Sequence, residues 1–110
     1  MLGKFNNKDL GHMLENVIFL ELKRLGYKIY IGKNDTNEVD FVVEKKEDYI
    51  YIQVSLSVRD ENTLKRELKA LESINDNYKK YIIILDYDTV DYNGIKQISA
   101  LDFLLGRVEL

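Results

Sequence analysis

The sequence contains no cysteine, no proline and no tryptophan, and it has a single histidine among its 110 residues. The absence of cysteine excludes disulfide bonds, thiolate metal ligands and a cysteine nucleophile. A lone histidine without cysteine does not make a typical zinc site, so His12 is predicted to serve packing or capping. No metal site built on histidine or cysteine is therefore expected.

Long apolar segments and linker segments are also missing. The N-terminus has no apolar signal-peptide core, and no apolar run is long enough to cross a bilayer. There is no Ser/Gly-rich linker, no internal repeat and no low-complexity tract. We therefore expect a single cytoplasmic domain over residues 1–110 with no membrane contact.

Neither sign of charge dominates, because the chain has 16 Lys and Arg residues and 19 Asp and Glu residues, which gives a net charge of -3. A dedicated nucleic-acid-binding domain is usually basic overall, so a nucleic-acid contact would need a local basic face. Hydrophobic residues make up 45% of the chain and charged residues 32%. This balance is typical of a globular domain.

Hydrophobic periodicity predicts an α/β domain with a mixed sheet flanked by helices. In the first helix, six apolar residues recur at helical spacing: Leu10, Leu14, Val17, Ile18, Leu22 and Leu25. Alternating or continuous apolar runs predict the strands. The predicted order is helix Asp9–Gly26, strands Tyr27–Ile31, Glu38–Glu44 and Tyr49–Ser55, a helix from Asp60 to about Tyr78, strands Tyr81–Leu85 and Ile95–Ile98, and a helix from Ser99 to about Gly106.

The second and third strands are predicted to form a hairpin with a polar face. If Glu44 lies opposite Tyr49, then Asp40 lies opposite Gln53, and Glu38 lies opposite Ser55. The other face of the hairpin is then entirely apolar. A shift of one residue would expose that apolar set to water, so the pattern itself favours this register.

An oxygen-rich cluster on a sheet face suits a hard divalent cation. Asp40 and Gln53 would be the ligands of Mg²⁺ or Mn²⁺, and such an ion can activate water for attack on phosphorus. The alternative is a solvated outer strand face, which is the usual meaning of alternating polar residues. Glu15 adds to the first interpretation, because it lies on a largely apolar side of the first helix. The alternative is that Glu15 lies at the rim of the apolar stripe, where it reaches solvent or pairs with Lys23.

Several segments of the chain resemble one known family. The segments are Gly11–Asn16, Leu25–Tyr27, Glu38–Val42, Tyr51–Val54, Arg66–Glu67 and Ile98–Leu105. In this order and spacing they resemble the PD-(D/E)XK nuclease-like domain of unknown function found at the C-terminus of prokaryotic AAA-type ATPases. The α-β-β-β-α-β order resembles the PD-(D/E)XK core as well.

The resemblance implies a site and a partner. Glu15, Asp40, Gln53 and Ser55 would stand at the catalytic positions, and the N-terminal ATPase domain of a longer chain would be the partner. Two positions depart from the family, since Gln53 and Ser55 replace the Glu and Lys of its Glu-x-Lys motif. A serine cannot supply the cation that meets developing negative charge. The chain also lacks a phosphate-binding loop of the ATPase type.

Three functions remain open from the sequence. The first is a degenerate accessory module that binds nucleic acid or a protein, with Lys65, Arg66 and Lys69 as candidate contacts to DNA. The second is an active metal-dependent endonuclease, in which one of those cations replaces the missing lysine. The third is a structural or homo-oligomerising domain, for which an apolar patch of Leu101, Phe103 and Leu104 would be the mark.

Overall fold

The computed structural model describes residues 7–31, 39–56, 61–74, 76–85 and 94–110. Within these ranges three helices and five strands follow the order α-β-β-β-α-β-β-α, which confirms the predicted α/β class. The helices are α1 (Asn7–Arg24), α2 (Glu61–Glu72) and α3 (Ala100–Leu104). The strands are β1 (Lys28–Ile31), β2 (Phe41–Lys45), β3 (Asp48–Ser55), β4 (Lys79–Ile84) and β5 (Ile95–Ser99).

The five strands form one mixed sheet in the order β1-β2-β3-β4-β5. The pairs β1/β2 and β2/β3 are antiparallel, whereas β3/β4 and β4/β5 are parallel. Helix α2 lies between β3 and β4 in the chain, because parallel neighbours need a crossover connection. The predicted single domain with a mixed sheet is therefore what the chain forms.

The β2–β3 hairpin has the predicted register. Glu44 lies opposite Tyr49 and Phe41 opposite Ile52. The connecting turn consists of Lys46 and Glu47, and Lys46 adopts a φ of 57° without being glycine. Glu38, at the predicted start of β2, lies outside the described residues, as does the predicted N-cap Asp60.

The sheet has a core on each face. On one face α1 and α3 cover residues such as Ile52, Val54 and Ile83. On the other face α2 covers Ile82 and Ile84. Because neighbouring residues of a strand point to opposite faces, Gln53 and Ser55 belong to the face that carries α2. The sheet end beside Asp40 thus lies between helices on both faces.

Two predicted helix ends are supported by local chemistry. Helix α1 ends as the Gly26 prediction required: Gly26 has a φ of 90°, and the N–H groups of Gly26 and Tyr27 bond to the carbonyls of Lys23 and Leu22. Ser99 caps α3, since its side chain accepts from the backbone N–H of Asp102 at 3.4 Å. Both ends were readable from residue type alone.

The predicted end of α2 at Tyr78 was wrong, because the helix ends at Glu72. The hydroxyl of Ser73 donates to the carbonyl of Ala70 at 2.8 Å, and Asp76 accepts from the N–H of Tyr78 at 3.0 Å. These side chains satisfy backbone groups locally, as Ser and Asp do in turns. The spacing of apolar residues, from which the helix was predicted, does not show that Ser73 and Asp76 can bond to backbone groups and so end the helix early.

Two apolar surfaces predicted from the sequence differ from those in the structure. In α3, Phe103 is buried at 1% exposure and Leu104 packs against the core, so the patch with Leu101 does not form. In α1, Leu14, Ile18 and Leu22 are buried, but Leu10, Val17 and Leu25 are exposed. Among the described residues, no helix combines the length and hydrophobicity needed to cross a membrane.

Candidate functional site

Asp40 and Gln53 join the ends of β2 and β3. The backbone N–H of Asp40 donates to Oε1 of Gln53 at 2.6 Å, and the backbone N–H of Val54 donates to Oδ2 of Asp40 at 2.8 Å. Each side chain thus satisfies the backbone of the facing strand. The predicted proximity of Asp40 to Gln53 is confirmed, and it has a structural use in the fold.

The polar side of β3 is buried. Gln53 is 3% exposed and Ser55 is 7% exposed. The carbonyl of Ser55 accepts from the backbone N–H of Leu85 at 3.1 Å, which ties the end of β3 to β4. The interpretation of this side as a solvated outer strand face was therefore wrong. Buried polar groups are kept where they are hydrogen-bonded.

Glu15 reaches Asp40 from α1. The side chain of Glu15 is close enough to that of Asp40 to raise its pKa, and Oε2 of Glu15 lies 3.6 Å from Nδ1 of His12. His12 is exposed rather than packed. Because α1 lies on the opposite face of the sheet from the side chain of Gln53, Glu15 approaches Asp40 from the other direction. The structure therefore brings together three of the four predicted catalytic residues.

The environment of Asp40 disfavours its negative charge. The pKa of Asp40 is raised to about 7, chiefly by burial and in part by the negative charges of Glu15 and Glu67. The hydrogen bond from Val54 opposes this rise but does not cancel it. A carboxyl whose pKa is raised this far has a disfavoured charged form, here mainly because of burial. Such groups mark candidate functional sites.

Glu67 is a residue of the site that the sequence analysis did not assign. It is half-buried on α2, and burial raises its pKa, as does the charge of Glu15, while Arg66 lowers it. Its spacing of four residues from the buried Leu71 puts it at the edge of the apolar stripe of α2. That spacing was the available signal.

The site therefore comprises carboxyl groups from three elements, which we call the carboxyl cluster: Glu15, Asp40 and Glu67. Among the described residues, no three Asp, Glu or His side chains are close enough together to hold a metal ion. The Oδ2 of Asp40 and the Oε1 of Gln53 already accept backbone hydrogen bonds. The predicted Mg²⁺ or Mn²⁺ ligation by Asp40 and Gln53 stays a prediction.

Cations lie beside the carboxyl cluster rather than in it. Lys65, Arg66 and Lys69 are exposed on α2, and the charge of Arg66 acts on Glu67. Ser55, at the position where the resembled family has its lysine, is buried and uncharged. Among the described residues, the exposed cations of α2 are therefore the candidates to supply positive charge for a phosphate.

A depression of about 310 Å³ lies at the other end of β2 and β3, away from the carboxyl cluster. Its lining includes Lys45, Lys46 and Lys79 together with Tyr49 and Tyr78. The two tyrosine rings meet edge to face with centroids 5.4 Å apart, and Nζ of Lys45 donates to the carbonyl of Leu110 at 2.6 Å. We call this depression the lysine–tyrosine pocket.

The fold and the carboxyl cluster together define an α/β domain with a five-stranded mixed sheet and an acidic site at one sheet end. The chain belongs to the family described as Domain of unknown function (DUF4143), which matches residues 10–104. The family match covers all three helices except the first residues of α1, and all five strands.

Two relatives from distant organisms share this domain. A protein of Haemophilus influenzae, described as uncharacterized, is 41% identical over 105 residues, which are 94% of this chain and 25% of the relative. An uncharacterized protein of Methanocaldococcus jannaschii is 33% identical over 102 residues, 87% of this chain and 22% of the relative. The chain thus spans about a quarter of the length of these relatives, consistent with a domain of a larger protein.

Proposed function

We propose that this domain is a degenerate nuclease-like accessory module, carried at the C-terminus of an AAA-type ATPase, which binds nucleic acid or a protein partner without catalysis. The greater length of the relatives supports a place within a larger protein. The α-β-β-β-α-β order and the convergence of Glu15, Asp40 and Gln53 support the nuclease-like part.

The observation that carries the non-catalytic part is the use made of Asp40 and Gln53. Their side-chain oxygens accept backbone N–H groups across the hairpin. Each hydrogen bond uses one lone pair and fixes the orientation of the oxygen for the hairpin, which leaves less of its capacity for a metal ion. Ser55 is buried and supplies no cation, whereas phosphoryl chemistry needs positive charge aimed at the developing negative charge. Among the described residues, the site thus has its carboxyl groups but no cation at the position of the resembled family's lysine.

A nucleic-acid partner would contact the exposed cations of α2. Lys65, Arg66 and Lys69 are exposed on one helix beside the carboxyl cluster, and lysine and arginine contacts to phosphates make binding depend on salt. The net charge of -3 and the carboxyl cluster oppose such binding. A protein partner meets neither obstacle, so both classes remain within the proposal.

An active endonuclease is the second candidate, because one observation favours it. Arg66 acts electrostatically on Glu67, and Glu67 acts on Asp40. A guanidinium close to the acids could take the place of the lysine that the resembled family has at the position of Ser55. In that case Mg²⁺ or Mn²⁺ would bind at Asp40 and Gln53, with Glu15 assisting.

Fluorescence anisotropy with labelled single- and double-stranded DNA separates the two partner classes. The charge-reversal variant Lys65→Glu/Lys69→Glu should weaken binding at least tenfold at low salt if α2 contacts phosphates. The matched control, Lys46→Glu/Lys79→Glu, makes the same charge change at the lysine–tyrosine pocket. If wild type shows no binding at low salt, the nucleic-acid part of the proposal is wrong and a protein partner remains.

A further inference from the structure

Helix α1 has a second apolar face in addition to the one that packs on the sheet. Leu14, Ile18 and Leu22 face the core with at most 7% exposure. Four other residues form what we call the outer stripe, exposed at 40, 50, 42 and 56%: Leu10, Met13, Val17 and Leu20. Their successive spacings of three, four and three residues match the a and d positions of a coiled-coil heptad.

We propose that the outer stripe of α1 pairs with the outer stripe of a second copy of this chain, in an antiparallel two-helix contact around a twofold axis. This proposal does not rest on the proposed function, because the outer stripe and the carboxyl cluster are separate. The side chain of Glu15 lies on the other flank of α1.

The spacing makes the outer stripe complementary to itself. In the antiparallel arrangement Leu10 packs against Leu20 of the second copy, and Met13 packs against Val17 of the second copy. The twofold axis repeats each pair, so four apolar layers form from four residues. A twofold interface of this kind uses the same patch on both copies.

Charge selects the antiparallel orientation. Asp9 lies in the first turn of α1 and Lys23 in the last turn, and both border the outer stripe on the same side, one residue before an a position. Antiparallel pairing places Asp9 beside Lys23 of the second copy, twice. A parallel pair would instead place the two borders that carry Asp9 and Lys23 on opposite sides of the interface, so this attraction would be lost.

Asn16 occupies the same border halfway between Asp9 and Lys23. Antiparallel pairing therefore places it next to Asn16 of the second copy at the twofold axis. The opposed dipoles of the two helices add a favourable term to this orientation. Length, apolar spacing and charge of the stripe all fit a second copy, so we commit to this occupant.

The size of the outer stripe sets the expected strength. One helix face on each copy falls at the low end of protein interfaces, so we expect a dissociation constant of roughly tens of micromolar. Sedimentation velocity of the 110-residue chain over a concentration series should show a monomer–dimer equilibrium. Wild type that stays monomeric up to about 0.5 mM would overturn the proposal and leave the stripe to the rest of a longer chain.

Substitution within the stripe supplies the first control. Val17→Asp should weaken dimerisation at least tenfold, because it places a charge in each central layer. Tyr30→Asp is the matched control, since Tyr30 is 42% exposed on β1 and faces away from α1. The proposal would be contradicted if both variants lost dimerisation equally, or if neither variant lost it. Thermal melting at a low protein concentration, at which the chain is monomeric, shows whether each variant still folds.

Charge exchange tests the orientation. Asp9→Lys and Lys23→Asp should each weaken the dimer, because each creates two like-charge pairs. The double variant should restore dimerisation to within about threefold of wild type. Both single changes also disfavour the helix dipole, and the double variant keeps both of those penalties. Recovery in the double variant therefore reports pairing between copies, and absence of recovery contradicts it.

The absence of cysteine makes a single introduced cysteine unambiguous. Asn16→Cys should be linked into a covalent dimer by a short bismaleimide reagent, at a yield that exceeds that of Tyr30→Cys at least fivefold. Addition of Val17→Asp to Asn16→Cys should remove this excess. Equal yields from Asn16→Cys and Tyr30→Cys would show collision rather than a specific contact, and would overturn the proposal.

Discussion

At the scale of single residues, Asp40 is held by groups that oppose its ionisation. Glu15 from α1 and Glu67 from α2 both add negative charge, while burial removes water from the carboxyl. Among the described residues, the N–H of Val54 opposes these effects at Asp40, and Arg66 acts on Glu67. The charge of the site therefore depends on pH near neutrality.

The stability of the domain should fall as pH rises toward neutrality. The folded-state pKa of Asp40 is about 7, above its ordinary value of 3.8. The folded chain consequently binds a proton more tightly than the unfolded chain between roughly pH 4 and pH 7, so stability decreases through this window. Glu67 contributes with the same sign, because its pKa is also raised.

Asp40→Asn should remove most of this dependence. The amide is neutral and retains an acceptor for Val54, so at pH 8 the variant should be about 1–3 kcal/mol more stable than wild type. At pH 5 the two should agree within about 1 kcal/mol. Urea unfolding at both pH values measures the difference, and Asp48→Asn reports the same substitution at an exposed position. A wild type that gains stability from pH 5 to pH 8 would contradict this prediction.

Gln53 has a structural role that two substitutions separate from a metal-binding role. Gln53→Leu keeps the volume but leaves the N–H of Asp40 without its acceptor, which should cost about 1–3 kcal/mol in urea unfolding. Gln53→Glu keeps an acceptor but adds a charge to the carboxyl cluster, so it should be less stable than wild type at pH 7.5.

Divalent cations should affect Gln53→Glu and not wild type. If the extra carboxylate completes a cation site, millimolar Mn²⁺ should restore the stability of Gln53→Glu, since binding to the folded state alone stabilises it. Wild type should show no matching increase. An equal increase in wild type would mean that Asp40 and Gln53 already bind the ion.

At the scale of elements, local patterns predicted most of the fold. The register of the β2–β3 hairpin followed from two-residue alternation, because a shift of one residue would expose Phe41 and Ile52. Ser99 and Gly26 marked helix ends by their own chemistry. The end of α2 was missed because Ser73 and Asp76 satisfy backbone groups that the apolar period ignores.

Long-range packing explains what the sequence did not indicate. Glu67 joins Asp40 only because α2 packs on the face of the sheet opposite α1. The burial of Gln53 and Ser55 depends on the same helix. Likewise, helical spacing predicted that Leu10 and Val17 belong to the core. They are exposed because the apolar residues of α1 cover a wider part of its surface than the part that packs on the sheet.

The β2–β3 turn provides a prediction at the level of an element. Lys46 has a φ of 57°, a conformation that glycine adopts without steric cost. Lys46→Gly should therefore stabilise the chain by about 0.5–1 kcal/mol in urea unfolding. Its neighbour provides the control: Glu47→Gly should be neutral or destabilising, because Lys46 is the only described non-glycine residue with positive φ. Stabilisation by Glu47→Gly alone would contradict this explanation.

At the scale of the whole molecule, the domain is one part of larger proteins in its family. It combines a carboxyl cluster at one sheet end with exposed cations on α2 and an exposed apolar stripe on α1. These surfaces suit contacts with other macromolecules. The proposed accessory role assigns the chemistry of the longer protein to another domain, and leaves binding and assembly to this one.

The most direct test of this account is cleavage of labelled single- and double-stranded DNA in the presence of Mg²⁺ or Mn²⁺, with wild type and Asp40→Asn side by side. The account predicts that neither protein cleaves DNA above the background of the metal alone. Cleavage by wild type that Asp40→Asn abolishes would contradict it, and would make the carboxyl cluster an active nuclease centre.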